Sequence, residues 1–181
     1  YLATNKREVI LDINSSNTST SSKNFGRLTV ELRSHATKTN LSPFYLTYRS
    51  GSTTLASDLA ICSTNITGSK VATGAWNHYA VSVKSFPASN ETLVKFYVNG
   101  DLDKQTTISG YINEVTGALT ANIGALQTGT NLGGGLGAGL LMGSLDEFRY
   151  WKELNHKFHG NIVLLISYCF SFIALEVKNS L

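Results

Sequence analysis

The sequence predicts an all-β domain, an antiparallel sandwich of two sheets, followed by an apolar C-terminal tail whose structure it does not define. Short runs rich in Val, Ile, Leu, Tyr, Phe and Thr recur between residues 8 and 151, each bounded by clusters of Ser, Asn, Gly or Thr. No segment before residue 154 carries a 3.6-residue apolar period, and about nine strands without intervening helices favour antiparallel packing over parallel α/β. Between two of these runs stands Asn99-Gly100, which supplies the two positive-φ residues of a type I′ hairpin turn.

The predicted strands, in order, are residues 8–13, 27–32, 44–49, 59–62, 78–84, 93–98, 102–108, 119–124 and 140–151, the last with an interruption. The first ends at a polar run, residues 14–23. In 78–84, Tyr79, Val81 and Val83 share a face opposite His78, Ala80 and Ser82. In 93–98 the apolar set is Val94, Phe96 and Val98, with Lys95 and Tyr97 on the other side. In the last strand Phe148 and Tyr150 share a face with which Leu145 is out of phase, and a bulge at Asp146-Glu147 restores it. The glycine-rich stretch 129–139 matches no phosphate-binding pattern and precedes no helix, so it reads as a loop.

A chain of 181 residues is long enough for one sizeable core and short for two. With 42% hydrophobic and 15% charged residues it reads as folded and light on charge. The net charge of +3 comes from scattered Lys and Arg, which indicates no nucleic-acid surface. Two cysteines, Cys62 and Cys169, are too few for a disulfide framework, and they either pair or stay free. The chain starts at Tyr1 and carries nothing like a signal peptide there, so a fragment of a longer protein is expected.

After residue 155 the composition changes. Residues 162–175 are apolar except for Ser167 and Ser171, with Lys157 before them and Lys178 after. A spanning helix needs about 20 apolar residues. Extending the stretch to 160–177 admits Asn161 and Glu176. Three readings stand for the tail: a membrane anchor, a final buried element, or sequence not native to the domain. The chain therefore divides into a sandwich over 1–155 and a tail over 156–181.

Four segments carry a resemblance. AWNHYAVSVK (75–84), VKFYVNGDL (94–102), GALTANIGAL (117–126) and GSLDEFRYW (143–151) follow one another as in the laminin-G-like, concanavalin A-like lectin/glucanase family. The chain resembles this family over roughly residues 5–154. The resemblance implies a jelly-roll sandwich of the non-catalytic branch. It implies that Trp76 plugs the sandwich edge, that His78 is structural, and that Asn99 and Gly100 turn the hairpin. It further implies that Asp146, Glu147 and Arg149 belong to the closing strand. Two departures stand out: the opening strand is missing or reduced to residues 1–3, and an apolar tail replaces the usual polar helical segment.

Glycoside hydrolysis on this fold uses a Glu-x-Asp-x-x-Glu strand that sets its carboxylates on one face. No such triplet occurs, and adjacent Asp146 and Glu147 face opposite ways in a regular strand, so no enzyme is expected. His156 and His159 have helical metal spacing but no Cys or acidic partners near them, and no GxSxG elbow is present. Calcium is the family's usual ion. Asp58, Asp101 and Asp103 are the loop acids available, no alternating acid run marks a site, and no ligand is assigned. No cofactor is expected. Sugar binding needs outward aromatic faces, for which Tyr45, Tyr97, Tyr111 and Trp151 are the candidates.

The expected function is a non-catalytic recognition or adhesion module, binding carbohydrate or a protein ligand within a larger extracellular, cell-surface or virion-surface protein. The alternatives are a structural or assembly sandwich without ligand, a glycoside hydrolase of the same fold, and an adhesion protein anchored in a membrane through residues 160–177. The oligomeric state is not legible.

Overall fold

The computed structural model describes residues 7–16, 25–33, 42–71, 75–111, 118–126 and 139–141 with their side chains. It also describes the backbone of four further strands near the C-terminus. The strands are β1 (Arg7–Ser15), β2 (Gly26–Arg33), β3 (Phe44–Ser50), β4 (Thr53–Ala60), β5 (His78–Phe86), β6 (Glu91–Val98), β7 (Asp101–Ser109) and β8 (Leu119–Ile123). They are followed by β9 (Ser144–Leu145), β10 (Phe148–Glu153), β11 (Ser167–Ile173) and β12 (Leu175–Glu176). One helical turn, α1 (Gly68–Val71), and a 3-10 turn at Pro87–Ser89 are the helical elements among the described residues.

Eight of these strands form two antiparallel sheets, ordered β4-β3-β2-β1-β8 and β5-β6-β7. Backbone pairing extends the second sheet through β11 and β10 beyond β5, and β9 pairs with β12. The mostly β, two-sheet architecture is that of a jelly-roll sandwich, as the sequence predicts.

The expected faces are the ones the core uses. Tyr79, Val81 and Val83 are buried from β5, as are Val94 and Phe96 from β6, with Val98 packed beside them. From the other sheet come Leu11 and Ile13 of β1, Leu28, Val30 and Leu32 of β2, and Phe44, Leu46 and Tyr48 of β3. The rings of Phe44, Tyr79 and Phe96 form the aromatic centre, with Phe44 4.8 Å from each of the other two. Tyr48 and Ser85 share a buried hydrogen bond of 2.9 Å between the sheets, which satisfies both hydroxyls inside an apolar layer. At the hairpin, Asn99 (φ 52°) and Gly100 (φ 94°) both have positive φ, as a type I′ turn requires.

The fourth strand departs from expectation. It runs over Thr53–Ala60 rather than 59–62. As the outer strand of its sheet it is largely exposed, and the polar TTLASD run needs no buried face. The register shifts on either side of Tyr48, and Asp58 has φ 56°. Ile61 and Cys62 are apolar because they enter the core beyond the strand, 1% exposed each. Cys62 is a free thiol whose pKa is pushed up by burial.

Phe96 touches both other rings of the centre and is 0% exposed. Phe96→Ala is expected to destabilise the fold by about 3–5 kcal/mol in urea unfolding. A cost below about 1 kcal/mol would remove this cluster from the centre of the core.

Candidate functional site

The outer face of the first sheet holds the densest polar chemistry among the described residues. Strand β2 reads Gly-Arg-Leu-Thr-Val-Glu-Leu-Arg, an unbroken alternation. With Leu28, Val30 and Leu32 in the core, Arg27, Thr29, Glu31 and Arg33 share the opposite face. Across β1, Asp12 pairs with Thr29 and Asn14 with Arg27 in the same rows. An irregularity between Val9 and Leu11 brings Arg7 and Val9 to this face as well, opposite Arg33 and Glu31. Strand β3 adds Tyr45, Thr47 and Arg49.

This polar face is buried. Asp12 and Thr29 are 0% exposed, Glu31 1% and Arg27 2%. Burial of charge is tolerable only with a full set of partners. Arg27 donates two bonds to Asp12, from Nε to Oδ1 (2.9 Å) and from Nη2 to Oδ2 (2.8 Å). Thr29 Oγ1 donates a third at 2.9 Å. This is the bidentate fork that matches guanidinium to carboxylate.

A second cluster closes the other end. Arg7 and Arg33 stand directly opposite each other on β1 and β2. Two acids offset that repulsion. Glu31 Oε2 accepts from Arg33 Nη2 (2.8 Å) and Nε (3.2 Å), with Arg7 Nε at 3.4 Å. Asp58 Oδ1 accepts from Arg7 Nη2 at 2.5 Å and also from Arg33. The Arg33 guanidinium lies 4.4 Å above the Tyr45 ring, a cation–π stack. Desolvation raises the Glu31 carboxyl to about 7, against the opposing pull of Arg7. Among the described residues, Glu31 Oε1 has no hydrogen-bond partner, and neither does Arg49 Nε.

All three acids are held by arginines, and Asp12 and Glu31 are also shut from solvent. A glycosidase pair must reach the scissile bond from both sides. Asp12 and Glu31 share a face, yet the first is locked in a guanidinium fork and both are shut from water.

The aromatic candidates fall on different surfaces. Tyr45 lies on the outer face of the first sheet, under Arg33. Tyr97 lies on the outer face of the second, half-buried, opposite Ala80 on β5 and Leu102 on β7, and Leu102 is 52% exposed. These outer faces point away from each other, so Tyr45 and Tyr97 cannot serve one site. Tyr111 is half-buried just past β7. Trp151 is in β10, in register with Cys169, and its side chain lies outside the described residues. So does the side chain of Arg149, and the proposed bulge at Asp146 and Glu147 also falls outside them.

The edge position that the resemblance implies for Trp76 leaves half of its side chain in solvent. Trp76 precedes β5 and is 49% exposed. The neighbouring backbone is tied down by Asn99. The His78 N–H donates to Asn99 Oδ1 (2.9 Å), the Asn99 N–H donates to His78 O (2.7 Å), and Asn99 Nδ2 donates to Asn77 Oδ1 (3.2 Å). The motif thus leaves its tryptophan beside an amide-lined hairpin end.

Two of the loop acids considered for calcium have other partners. Asp58 sits between Arg7 and Arg33, and Asp103 accepts from the Ser63 N–H (2.7 Å) and Oγ (2.6 Å). Asp101 is exposed on β7. Asn14, one of five Asn-x-Ser/Thr sites in the sequence, is buried at 9% exposure, where no glycan could be attached.

The alternation of the charged ladder is present in the sequence, but its burial is not. Arg27, Thr29, Glu31 and Arg33 alternate without a break, with Asp12 on a neighbouring run. Arg27→Met, which leaves Asp12 buried and unpaired, is expected to cost about 3–5 kcal/mol in chemical unfolding. Asp12→Leu combined with Arg27→Met is expected to recover most of that loss, because the fork is then replaced by apolar volume. A double variant as unstable as the single one would contradict this account.

Residues 11–155 match the family model of the concanavalin A-like lectin/glucanases superfamily, of the laminin G kind. No curated protein and no solved structure matches the chain.

Proposed function

The chain belongs to the concanavalin A-like lectin/glucanase superfamily, and from that premise we propose that it is a non-catalytic recognition module for a glycan or a protein ligand. The observation that carries this reading is the state of the acids. On the outer face of the first sheet, Asp12, Glu31 and Asp58 are each engaged by arginine, and the two buried ones, Asp12 and Glu31, are out of reach of a substrate. Recognition needs only presentation, and the hairpin end of the second sheet offers it. There Trp76 is half exposed beside Asn77 and Asn99, with Leu102 exposed and Tyr97 half-buried on the outer face of the same sheet. Amphipathic aromatics next to side-chain amides suit the apolar faces and hydroxyl edges of a sugar.

Laminin G-like domains are often extracellular, and we place this one at a cell or virion surface. No helix among the described residues is long and apolar enough to cross a membrane.

A second reading, a structural domain that assembles without ligand, has its own observation. On the edge strand β8, Leu119 and Ile123 are 37% and 50% exposed, and an open apolar edge favours self-association.

A glycan array read in parallel with a reducing-sugar assay on β-glucans separates these readings. Binding without turnover is expected. Trp76→Ala should weaken that binding about tenfold, the scale of one aromatic stack, while leaving the melting temperature nearly unchanged. A blank array together with a concentration-dependent dimer would favour the assembly reading, and released reducing sugar would overturn the non-catalytic one.

A further inference from the structure

The geometry points to Glu31 as a proton-controlled clamp that joins the start of β1, the end of β2 and β4. Among the described residues, all the donors that reach this carboxyl converge on one oxygen, Oε2, from Arg33 Nη2 and Nε and from Arg7 Nε. The other, Oε1, is buried without a partner among the described residues, on a side chain that is 1% exposed. An ionised carboxylate offers acceptor sites on both oxygens, and one left bare in the interior is costly. A proton on Oε1 neutralises the group and lowers that cost to that of a buried neutral hydroxyl.

The charged and titratable groups that face Glu31 from the described elements are Arg7 and Asp12 of β1, Arg27 and Arg33 of β2, Tyr45 of β3 and Asp58 of β4. Burial opposes ionisation most strongly, Arg7 and Arg27 favour it, and Asp58 and Asp12 oppose it. The balance leaves the carboxyl at about 7, so the proton is exchanged near neutrality.

Asp58 makes this a clamp rather than an isolated titration. It is about half exposed and draws on the same two arginines. With Glu31 neutral, Oε2 is a weak acceptor, and Arg7 and Arg33 are left chiefly to Asp58. With Glu31 ionised, both arginines are pulled onto the sheet face by charge-assisted bonds. Arg7 opens β1, and two residues on the Val9 N–H donates to Gly139 O at 2.7 Å. The clamp therefore acts where the 139–141 segment meets the sheet.

The linkage has a definite sign. The folded protein holds this proton at pH values where the unfolded carboxyl, at 4.5, has lost it. The stabilisation from Glu31 is full below that value and is lost as pH rises through about 7. Local order at the arginines moves the opposite way and grows on deprotonation. Acid unfolding would lower both together.

Carbon-13 NMR of the Glu31 carboxyl, with exchange protection of the Arg7 and Arg33 Nε–H groups, over about pH 5 to 9 tests the clamp. The expected midpoint is about 7, with protection rising at least roughly threefold through it. Asp58→Asn removes a like charge and is expected to lower the midpoint. Glu31→Gln is expected to flatten the protection profile; should that variant not fold, the wild-type and Asp58→Asn titrations still decide. Titration of Glu31 near 4.5, or protection that stays flat through its midpoint, would overturn the proposal.

Discussion

Strands β1 and β2 are buried on both faces, and that constraint organises the first sheet. Their inner residues join the core, which is the ordinary demand on a sandwich strand. Their outer residues include Asp12, Arg27 and Glu31, charged yet shut from water, so their electrostatics must balance locally. The Asp12–Arg27 fork answers that demand in the middle of the sheet. At its end, Arg7, Arg33, Glu31 and Asp58 answer it as a group. A sheet face whose polar groups are tied to one another has little left to offer a substrate.

The proposed recognition surface is a different one. The second sheet presents polar and apolar residues toward solvent around β6 and β7, and its hairpin end leaves Trp76 half exposed. The tryptophan that helps to identify the family thus stands out as the most accessible large aromatic among the described residues. In the same motif, Tyr79 and Val81 are core and His78 belongs to the hairpin's hydrogen-bond network, so one short segment serves both scaffold and surface.

Most strands and the hairpin were legible because their signals are local. Val94, Phe96 and Val98 alternate with polar neighbours, and Asn99-Gly100 has intrinsic access to positive φ. The fourth strand was misplaced for the complementary reason. An edge strand needs no apolar pattern, while Ile61 and Cys62, apolar in sequence, reach the core outside any strand. Alternation and loop position single out the aromatic candidates, and alternation says that Tyr45 and Tyr97 point outward from their strands. It does not say that one is capped by Arg33 or that the two belong to opposite outer faces.

By itself the sequence determined the fold class, the core faces of β5 and β6 and the hairpin between β6 and β7, because periodicity and turn chemistry act over a few residues, and its motif segments carried the family. It also held the alternation of β2 without saying what that polar face meets. Only the tertiary structure decided that Asp12 would find Arg27, fifteen residues away, and that Glu31 would share its arginines with Asp58 across three strands. Strand order and register set those pairings. They also set the burial that turns ordinary surface charges into a network.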